Sequence, residues 1–251
     1  MPSGSPLPNN TNANYSFEEF LRGWCHRLDR LSAEITAAVD TKDGKASQIE
    51  DMDARLLIAR ALGHFEEYYE HKSRAAHLNG FALFSPNFCS SFECAFLWVA
   101  GFRPRVLLHL VSNSVHDLSA QQTQALDRLK RDTRINEKAV EDELARIQET
   151  AAAPPLIDAM REAAWLSEGQ SLTTTNEQIQ HLNASLEAVI ANADSLRVTT
   201  GAKAAEILRP TQCLRFLVAA MRLMQRMRST GMERDNLGGD LDRSNINIYI
   251  G

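Results

Sequence analysis

Residues 118–152 read LSAQQTQALDRLKRDTRINEKAVEDELARIQETAA, a stretch without glycine or proline. Its less polar positions recur at helical spacing among many charges, at Leu126, Leu129, Thr133, Val140, Leu144 and Ile147. This spacing places them on one narrow stripe of an α-helix whose other faces are solvated. Because each helical residue adds 1.5 Å, such a helix would extend about 50 Å. The sequence therefore predicts a long helix that needs packing partners along one side.

Helical spacing continues on both sides of this stretch. Ser16, followed by Glu18 and Glu19, is typical of a helix N-cap with acids in the first turn. Pro154 and Pro155 end the long helix, because proline cannot continue one. We predict further long helices over residues 16–39, 49–77, 176–207 and 210–231, and short helices after Pro104 and Pro155. No ordered segment shows strand alternation, so the predicted fold is all-α: a single multi-helix bundle with long antiparallel helices.

The central third of the chain is predicted to be its most buried part. Residues 82–90 carry Pro86 and are predicted to form a loop. Residues 92–100 are densely apolar, and Gly101 follows them as a candidate C-cap, since glycine readily ends a helix.

Composition excludes several classes of protein. The formal net charge is −5 and the sequence pI is near 5.8, so charge alone does not favour coating of nucleic acid or anionic membrane. Residues 1–16 hold no lysine, arginine or apolar run, unlike a targeting peptide, and no apolar stretch reaches about 18 residues. We expect a soluble protein of the nucleus and cytoplasm. Its expected parts are a disordered tail over residues 1–15, a helical domain over 16–231 and a mobile tail over 232–251.

Motifs for catalysis and metal binding are missing from the sequence. HExxH and the nucleotide-binding glycine patterns do not occur, and His64 and His71 have no acid or cysteine that completes a ligand spacing. The four cysteines form no CxxC pair and are predicted to be free thiols. Cys89, near Pro86 in the predicted loop, is expected to be the most accessible. We predict neither an enzyme nor a metal protein.

Four segments occur together in an order that is typical of one plant family. They are FEEFLRGW at 17–24, EYYEHKSRAA at 67–76, AFLWVAGFRPRVLLHL at 95–110 and ADSLRVTTGAKAAEILRPTQCLRFLVAAMRLMQR at 193–226. In this order and spacing the chain resembles the delay-of-germination domain. That domain occurs in plant seed-dormancy regulators, in a pollen-aperture factor and in the C-terminal half of TGA-type bZIP transcription factors. The resemblance covers residues 16–231 and implies an all-helical regulatory protein.

The resemblance implies binding to other proteins. Relatives among the dormancy regulators engage type 2C protein phosphatases of abscisic acid signalling or other regulatory proteins, including transcription regulators, and this is the first function that we expect. Two alternatives stay open: a developmental factor resembling the pollen-aperture protein, and a sensor for an apolar ligand or haem. TGA-type factors carry a basic region and zipper before this domain, whereas 15 uncharged residues precede it here, so autonomous DNA binding is not expected. A homodimer also stays open.

Two groups of residues are candidates for a partner or ligand site. Trp98 and Arg103 lie in LWVAGFRP, where Gly101 is expected to let the backbone turn and Arg103 to cap carbonyl groups or pair with a carboxylate. Arg197 is expected to form an internal polar bridge with Asp194. Each of these is interpreted as a buried structural feature first and a ligand contact second. The second group belongs to the apolar face of the last helix, which suits either a core or a pocket: Phe216, Met221 and Met224.

Haem binding in the dormancy-regulator branch is linked to histidines of the final long helix. The corresponding positions here hold Met224 and Arg228. A guanidinium stays protonated and cannot ligate iron, and a thioether alone is a weak ligand. We therefore predict no cofactor, and no stoichiometric haem by that route. A haem held by His109, His116 or Cys213 would mark a different site.

Overall fold

The computed structural model describes residues 11–39, 51–153 and 172–246, and all regular secondary structure in these ranges is helical. The all-α prediction is confirmed. The connection between the helices predicted at 16–39 and 49–77, and the short helix predicted after Pro155, lie outside the described residues. The helices are α1 Thr11–Val39, α2 Asp51–Phe84, α3 Ser91–Cys94, α4 Arg105–Ser114, α5 Ala120–Ala151, α6 Leu172–Ile207 and α7 Pro210–Ile246.

Helix α2 is the centre of the bundle, since it packs against α1, α6 and α7. Helix α5 lies along α6, and the short α4 contacts α5, α6 and α7. The largest core joins apolar side chains of α1, α2, α4, α5 and α7, and its most deeply buried members include Trp24, Ile35, Val111, Leu214 and Met221. Each such side chain stabilises the fold by about 1.5–3 kcal/mol through removal from water. None of the described helices combines the length and apolar character that a membrane-spanning helix needs.

The long helix α5 begins where its sequence provides a cap. Ser119 and Gln122 form a capping box: the Gln122 amide donates to Ser119 Oγ at 3.2 Å, and the Ser119 amide donates to Gln122 Oε1 at 3.0 Å. The buried stripe of α5 consists of Leu126, Leu129, Thr133, Glu137 and Val140. The predicted stripe is therefore confirmed at four positions and additionally contains the buried acid Glu137.

Two predicted helix ends are wrong. Helix α1 begins at Thr11, five residues before the predicted N-cap Ser16. Helix α7 continues to Ile246, whereas the sequence predicts that it stops at Gly231. A glycine lowers helix propensity by about 1 kcal/mol but does not force an end where packing compensates. Here Asp235 on the continued helix bonds to Ser91 of α3.

Helix α2 contains a break, which was not predicted, two residues beyond its predicted end. The helix was predicted to end at His77, and Asn79 leaves helical geometry, with φ −159° and ψ 91°. A second helical segment then runs to Phe84, where a loop was predicted. Side chains satisfy the donors of this segment, since the Ala82 amide donates to Asn79 Oδ1 at 3.3 Å and the Gly80 amide to Asn183 Oδ1 at 2.7 Å.

The apolar run over residues 92–100 does not form a helix that ends at Gly101. Only Ser91–Cys94 is helical, and the chain then passes through turns to the start of α4. Val99 and Ala100 have positive φ angles of 46° and 57°, which a helix does not allow. The C-cap prediction is therefore wrong, and the cause is a contact with α6 that no local pattern reveals.

Candidate ligand cavity and its polar wall

The irregular segment from Trp98 to Phe102 is held in place by one arginine. Arg197 on α6 donates Nε to the Phe102 carbonyl at 2.7 Å and Nη2 to the carbonyls of Val99, at 2.9 Å, and Trp98. Left-handed backbone at non-glycine residues costs on the order of 1–3 kcal/mol each. The guanidinium offsets the strain at Val99 and Ala100 by satisfying the carbonyls around them.

Gly101 is needed because Arg197 approaches it closely. A Cβ at residue 101 would lie 2.9 Å from the guanidinium carbon of Arg197. Any side chain would therefore displace Arg197 from the carbonyl groups that it binds. Glycine at this position serves a close approach, and the predicted chain reversal is made by Val99 and Ala100 instead.

Trp98 lies between the Arg103–Glu141 ion pair and the guanidinium of Arg197. It is 9% exposed, and its Nε1 donates to Glu141 Oε1 at 3.0 Å. Arg103 pairs with the same carboxylate, and the guanidiniums of Arg103 and Arg197 lie 5.5 Å and 5.3 Å from the indole centroid. The predicted buried corner and the pairing of Arg103 with a carboxylate are confirmed. The carbonyl capping foreseen for Arg103 is done by Arg197.

A buried carboxylate, Asp194, lies between two buried cations. Its Oδ1 accepts from Lys72 Nζ at 2.7 Å and from Arg197 Nη1, and the two cations are 2% and 4% exposed. The predicted bridge between Asp194 and Arg197 is thus confirmed, and Lys72 is an addition that the sequence analysis missed. Burial lowers the pKa of Lys72 to about 8, and repulsion by Arg197 adds to that shift against the attraction of Asp194. With all three groups charged, the cluster carries one excess positive charge.

A cavity of about 950 Å³ lies beside this cluster and is lined mostly by apolar side chains of α1, α2, α4, α6 and α7. Lys72 and Arg197 form part of its wall, together with Tyr68 and Tyr69. Desolvation raises the pKa of both phenols. Neither phenol hydroxyl donates a hydrogen bond to another described residue, and Lys72 Nζ donates to one acceptor although an ammonium has three donors. The wall therefore offers unused donors next to an excess positive charge.

The six predicted site residues divide between this cavity and the core. Arg103, Arg197, Phe216 and Met224 line the cavity. Trp98 does not, and Met221 is fully buried among core side chains. Lys72 could have been found from the sequence, because it follows Phe65 and Tyr68 at helical spacing on the inner face of α2.

Thiol accessibility differs from the prediction. Cys94 is exposed, whereas Cys89, expected to be the most accessible, is only partly so and lines the cavity. Burial raises the pKa of Cys89 to about 12, so its thiol stays protonated at neutral pH. The cause is that Cys89 faces inward from the short connection between α2 and α3.

The described wall holds no histidine at the positions where the resemblance implies haem ligands. Met224 and Arg228 line the cavity at the positions that correspond to the family's histidines, and the guanidinium of Arg228 cannot ligate iron. His26 is the one histidine among the described wall residues, and it is exposed. In the described ranges, no cluster of three or more histidine, cysteine or acidic side chains is arranged to hold a metal ion.

Comparison with known proteins places this architecture in a family. A family model described as "DOG1: Seed dormancy control" matches residues 31–113. Protein RESPONSE TO ABA AND SALT 1 of Arabidopsis thaliana is 31% identical over 230 residues, which cover 90% of this chain and 99% of that protein. The chain belongs to the delay-of-germination family. The resemblance carried by the four sequence segments is thereby confirmed.

Two further relatives show the breadth of the delay-of-germination family. Protein ZW2 of Arabidopsis thaliana is 27% identical, with 88% of this chain and 99% of ZW2 covered. Transcription factor TGA7 of the same species is 28% identical over 85% of this chain, but the match spans only 55% of TGA7. The family thus supports a plant regulatory role.

Proposed function

We propose that this protein is a non-enzymatic regulator in abscisic acid signalling that acts by binding other proteins, with type 2C protein phosphatases as the partner class. The observation that carries the proposal is the end-to-end match with RESPONSE TO ABA AND SALT 1, whose name refers to abscisic acid (ABA). A match over nearly the full length of both chains supports a shared function of the whole domain. The working domain in this proposal is residues 16–231, and its location is the nucleus and cytoplasm.

An exposed apolar face on α2 supports a protein-binding role. Met52 and Leu56 are 76% and 61% exposed and lie one helical turn apart. Both fall inside the segment that matches the family model. Adjacent exposed apolar side chains are typical of surfaces that bind partners. We assign the partner contact to this face of Met52 and Leu56.

Direct binding to purified type 2C phosphatases tests the proposal. The double variant Met52→Ser with Leu56→Ser should lower the affinity roughly tenfold or more, because apolar anchors carry much of the energy of an interface. Both side chains are already exposed, so the melting temperature should stay near that of the unchanged protein.

Ile135→Ser is the matched control, because Ile135 is 68% exposed on α5, outside the matched segment. Its phosphatase affinity should equal that of the unchanged protein. Affinity capture from plant extract provides the contrary outcome: recovery of membrane-domain factors without any type 2C phosphatase would reject this function in favour of the developmental alternative.

The cavity favours a second candidate function, the binding of an apolar ligand that carries a hydrogen-bond acceptor. Its volume of about 950 Å³ lies in the range of small-molecule sites, and its wall is mainly apolar. The unused donors of Lys72 and of the two tyrosines would bind the acceptor group.

Native mass spectrometry of the freshly purified protein tests this second function. We expect an apolar molecule of a few hundred daltons to co-purify and to be lost in Lys72→Met but kept in the control Lys203→Met, whose lysine is exposed on α6. A preparation that contains no such molecule would contradict the proposed ligand-binding function. An intense Soret band that survives gel filtration would instead contradict our prediction that haem is absent.

A further inference from the structure

The end of α7 is fastened to α3 by a set of contacts that we call the clasp. On the α3 side it consists of Ser90, Ser91 and Phe92, and on the α7 side of Gly231, Arg234 and Asp235. The central contact is bidentate: Ser91 Oγ donates to Asp235 Oδ1 at 2.6 Å, and the Ser91 amide donates to Asp235 Oδ2 at 3.2 Å. One carboxylate thus binds both donors of one serine.

Two other contacts place the same turn of α7 against α3. A Cβ at residue 231 would lie 2.7 Å from the Cβ of Ser90, so only glycine permits this approach. The guanidinium of Arg234 lies 5.3 Å from the ring centroid of Phe92. The clasp is therefore a specific arrangement at which steric fit, charge and cation–π attraction coincide.

The clasp closes one side of the cavity. On the α3 side, Phe88, Cys89 and Glu93 line the cavity, and on the α7 side Arg228 and Met232 do so. These wall residues lie next to or between the clasp residues in sequence. Separation of α7 from α3 at the clasp would therefore open the wall between them.

The two serines of the clasp differ in availability. Ser90 belongs to a capping box: its Oγ donates to Glu93 Oε2 at 2.8 Å and accepts from the Glu93 amide at 3.1 Å, and Gly231 covers it. Ser91 is exposed, and its hydroxyl donates to Asp235. Ser91 also lies at the first position of a four-residue helix, which costs little to unfold locally.

We propose that Ser91 is a phosphorylation site and that its phosphorylation releases the clasp. A protein kinase would transfer the γ-phosphoryl group of ATP to Ser91 Oγ; the bond from the γ-phosphorus to the ADP oxygen breaks, and the hydroxyl proton leaves to solvent. The product keeps the Ser91 amide donor but has lost the hydroxyl donor that binds Asp235, and it carries a charge near −2 in place of the hydroxyl. Asp235 and the phosphate then repel each other at the point where they were joined.

The surrounding charges favour release over tightening. Two carboxylates, Asp235 and Glu93, lie on or near Ser91, and Glu93 is fixed by its bonds to Ser90. Two cations of α7 lie at this end: Arg234 over Phe92, and Arg228 in the cavity wall beside Cys89. The two carboxylates are bound at Ser90 and Ser91 themselves, whereas Arg234 would have to leave the ring of Phe92 to reach the phosphate, so repulsion outweighs attraction.

Hydrogen exchange on the full chain with phosphoserine incorporated at position 91 tests the release. Amides of residues 228–236 and 88–94 should exchange roughly tenfold faster than in the unmodified chain, while those of α5 stay unchanged. The probe 1-anilinonaphthalene-8-sulfonate should bind faster, because the cavity wall is open. This inference rests on the cavity but not on a natural ligand or partner, so failure of either proposed function leaves these readouts interpretable.

Three variants separate charge from other effects. Ser91→Ala removes the hydroxyl without adding charge and should change exchange less than phosphoserine does. Asp235→Asn in the phosphorylated chain should slow exchange again, because the repulsion is removed. Gly231→Ala should open the wall by steric contact alone. Exchange in the phosphorylated chain that equals or is slower than that of the unmodified chain would overturn the proposal.

Occupancy is tested by phosphopeptide mapping of the protein recovered from plant tissue and of the purified protein treated with plant kinase extract and ATP. Phosphate on Ser91, with Ser90 unmodified, supports the assignment. Recovery of the peptide solely in its unmodified form in both samples, or phosphate on Ser90 instead, would reject it.

Discussion

Two buried carboxylates, Glu137 and Asp194, differ in the number of cations with which they pair. Glu137 is fully buried and accepts from the Arg105 amide at 2.8 Å and from Arg105 Nε at 2.6 Å. Glu137 thus pairs with one cation, and the net charge of the pair is zero. Asp194 instead meets two buried cations and leaves one excess positive charge at the cavity wall.

The Glu137–Arg105 pair stabilises the fold alone, whereas the Asp194 cluster stabilises the fold and also forms part of the cavity wall. Helix α4 begins after Pro104, which offers no side-chain cap, and Glu137 of α5 supplies the missing acceptor. A neutral pair of this kind has no charge left for a ligand. The Asp194 cluster fixes the segment around Trp98 and at the same time presents unused donors to the cavity.

Replacing Trp98 by alanine should give the largest effect, because this residue connects both regions. Its indole donates to Glu141, one turn along α5 from Glu137, and lies 5.3 Å from the guanidinium of Arg197. We expect a loss of about 3–5 kcal/mol in the free energy of unfolding. Urea denaturation measures it, and a variant as stable as the unchanged protein would show that the indole is not part of the core.

Asp194→Asn should come next, with a loss of about 3 kcal/mol, because it leaves two buried cations without a carboxylate. The loss should be at the low end for such a change, since Lys72 can release its proton. Asp142→Asn, at a largely exposed pair on α5, is the control and should have little effect. Equal effects of the two variants would contradict the description of Asp194 as a buried centre.

Glu137→Gln should cost less, about 2 kcal/mol, because the amide oxygen keeps an acceptor for the Arg105 backbone, while the charge and the acceptor for the partly exposed Arg105 side chain are lost. Glu137→Leu should cost clearly more, because it removes the acceptor as well. Urea denaturation of both variants checks the order. A glutamine variant as unstable as the leucine variant would show that charge, rather than capping, is what α4 requires.

Lys72→Met should have the smallest effect at pH 7, and its signature is a changed pH dependence. The folded pKa of Lys72, about 8, lies below the ordinary value of 10.5, so the unfolded chain binds more protons between these values. The free energy of unfolding therefore gains a positive contribution as pH rises from 8 towards 9.5, below the range where tyrosines ionise. This contribution should be absent in Lys72→Met, and an identical slope in both proteins would contradict the buried charge.

The long helices were predictable, whereas the polar centres of the fold were less so. Periodicity located α5, because apolar spacing reports directly which face of a helix is buried. The backbone of Val99 and Ala100 was not predictable, since Arg197, 95 residues from Phe102, determines it. Glu137 and Lys72 were missed for a different reason: the apolar register of each is visible in the sequence, but its partner on another helix is not.

The pairing of α1 with α7 has a consequence for synthesis. Gln225 of α7 donates to Asp29 of α1 at 2.8 Å, across a separation of 196 residues. A ribosome that adds 5–20 residues per second delivers α7 roughly 10–40 s after α1. During that interval the apolar side chains of α1 and α2 that pack against α7 stay exposed to solvent. A message cut short before α7 therefore yields an aggregation-prone fragment, which a cell must clear, instead of a smaller working domain.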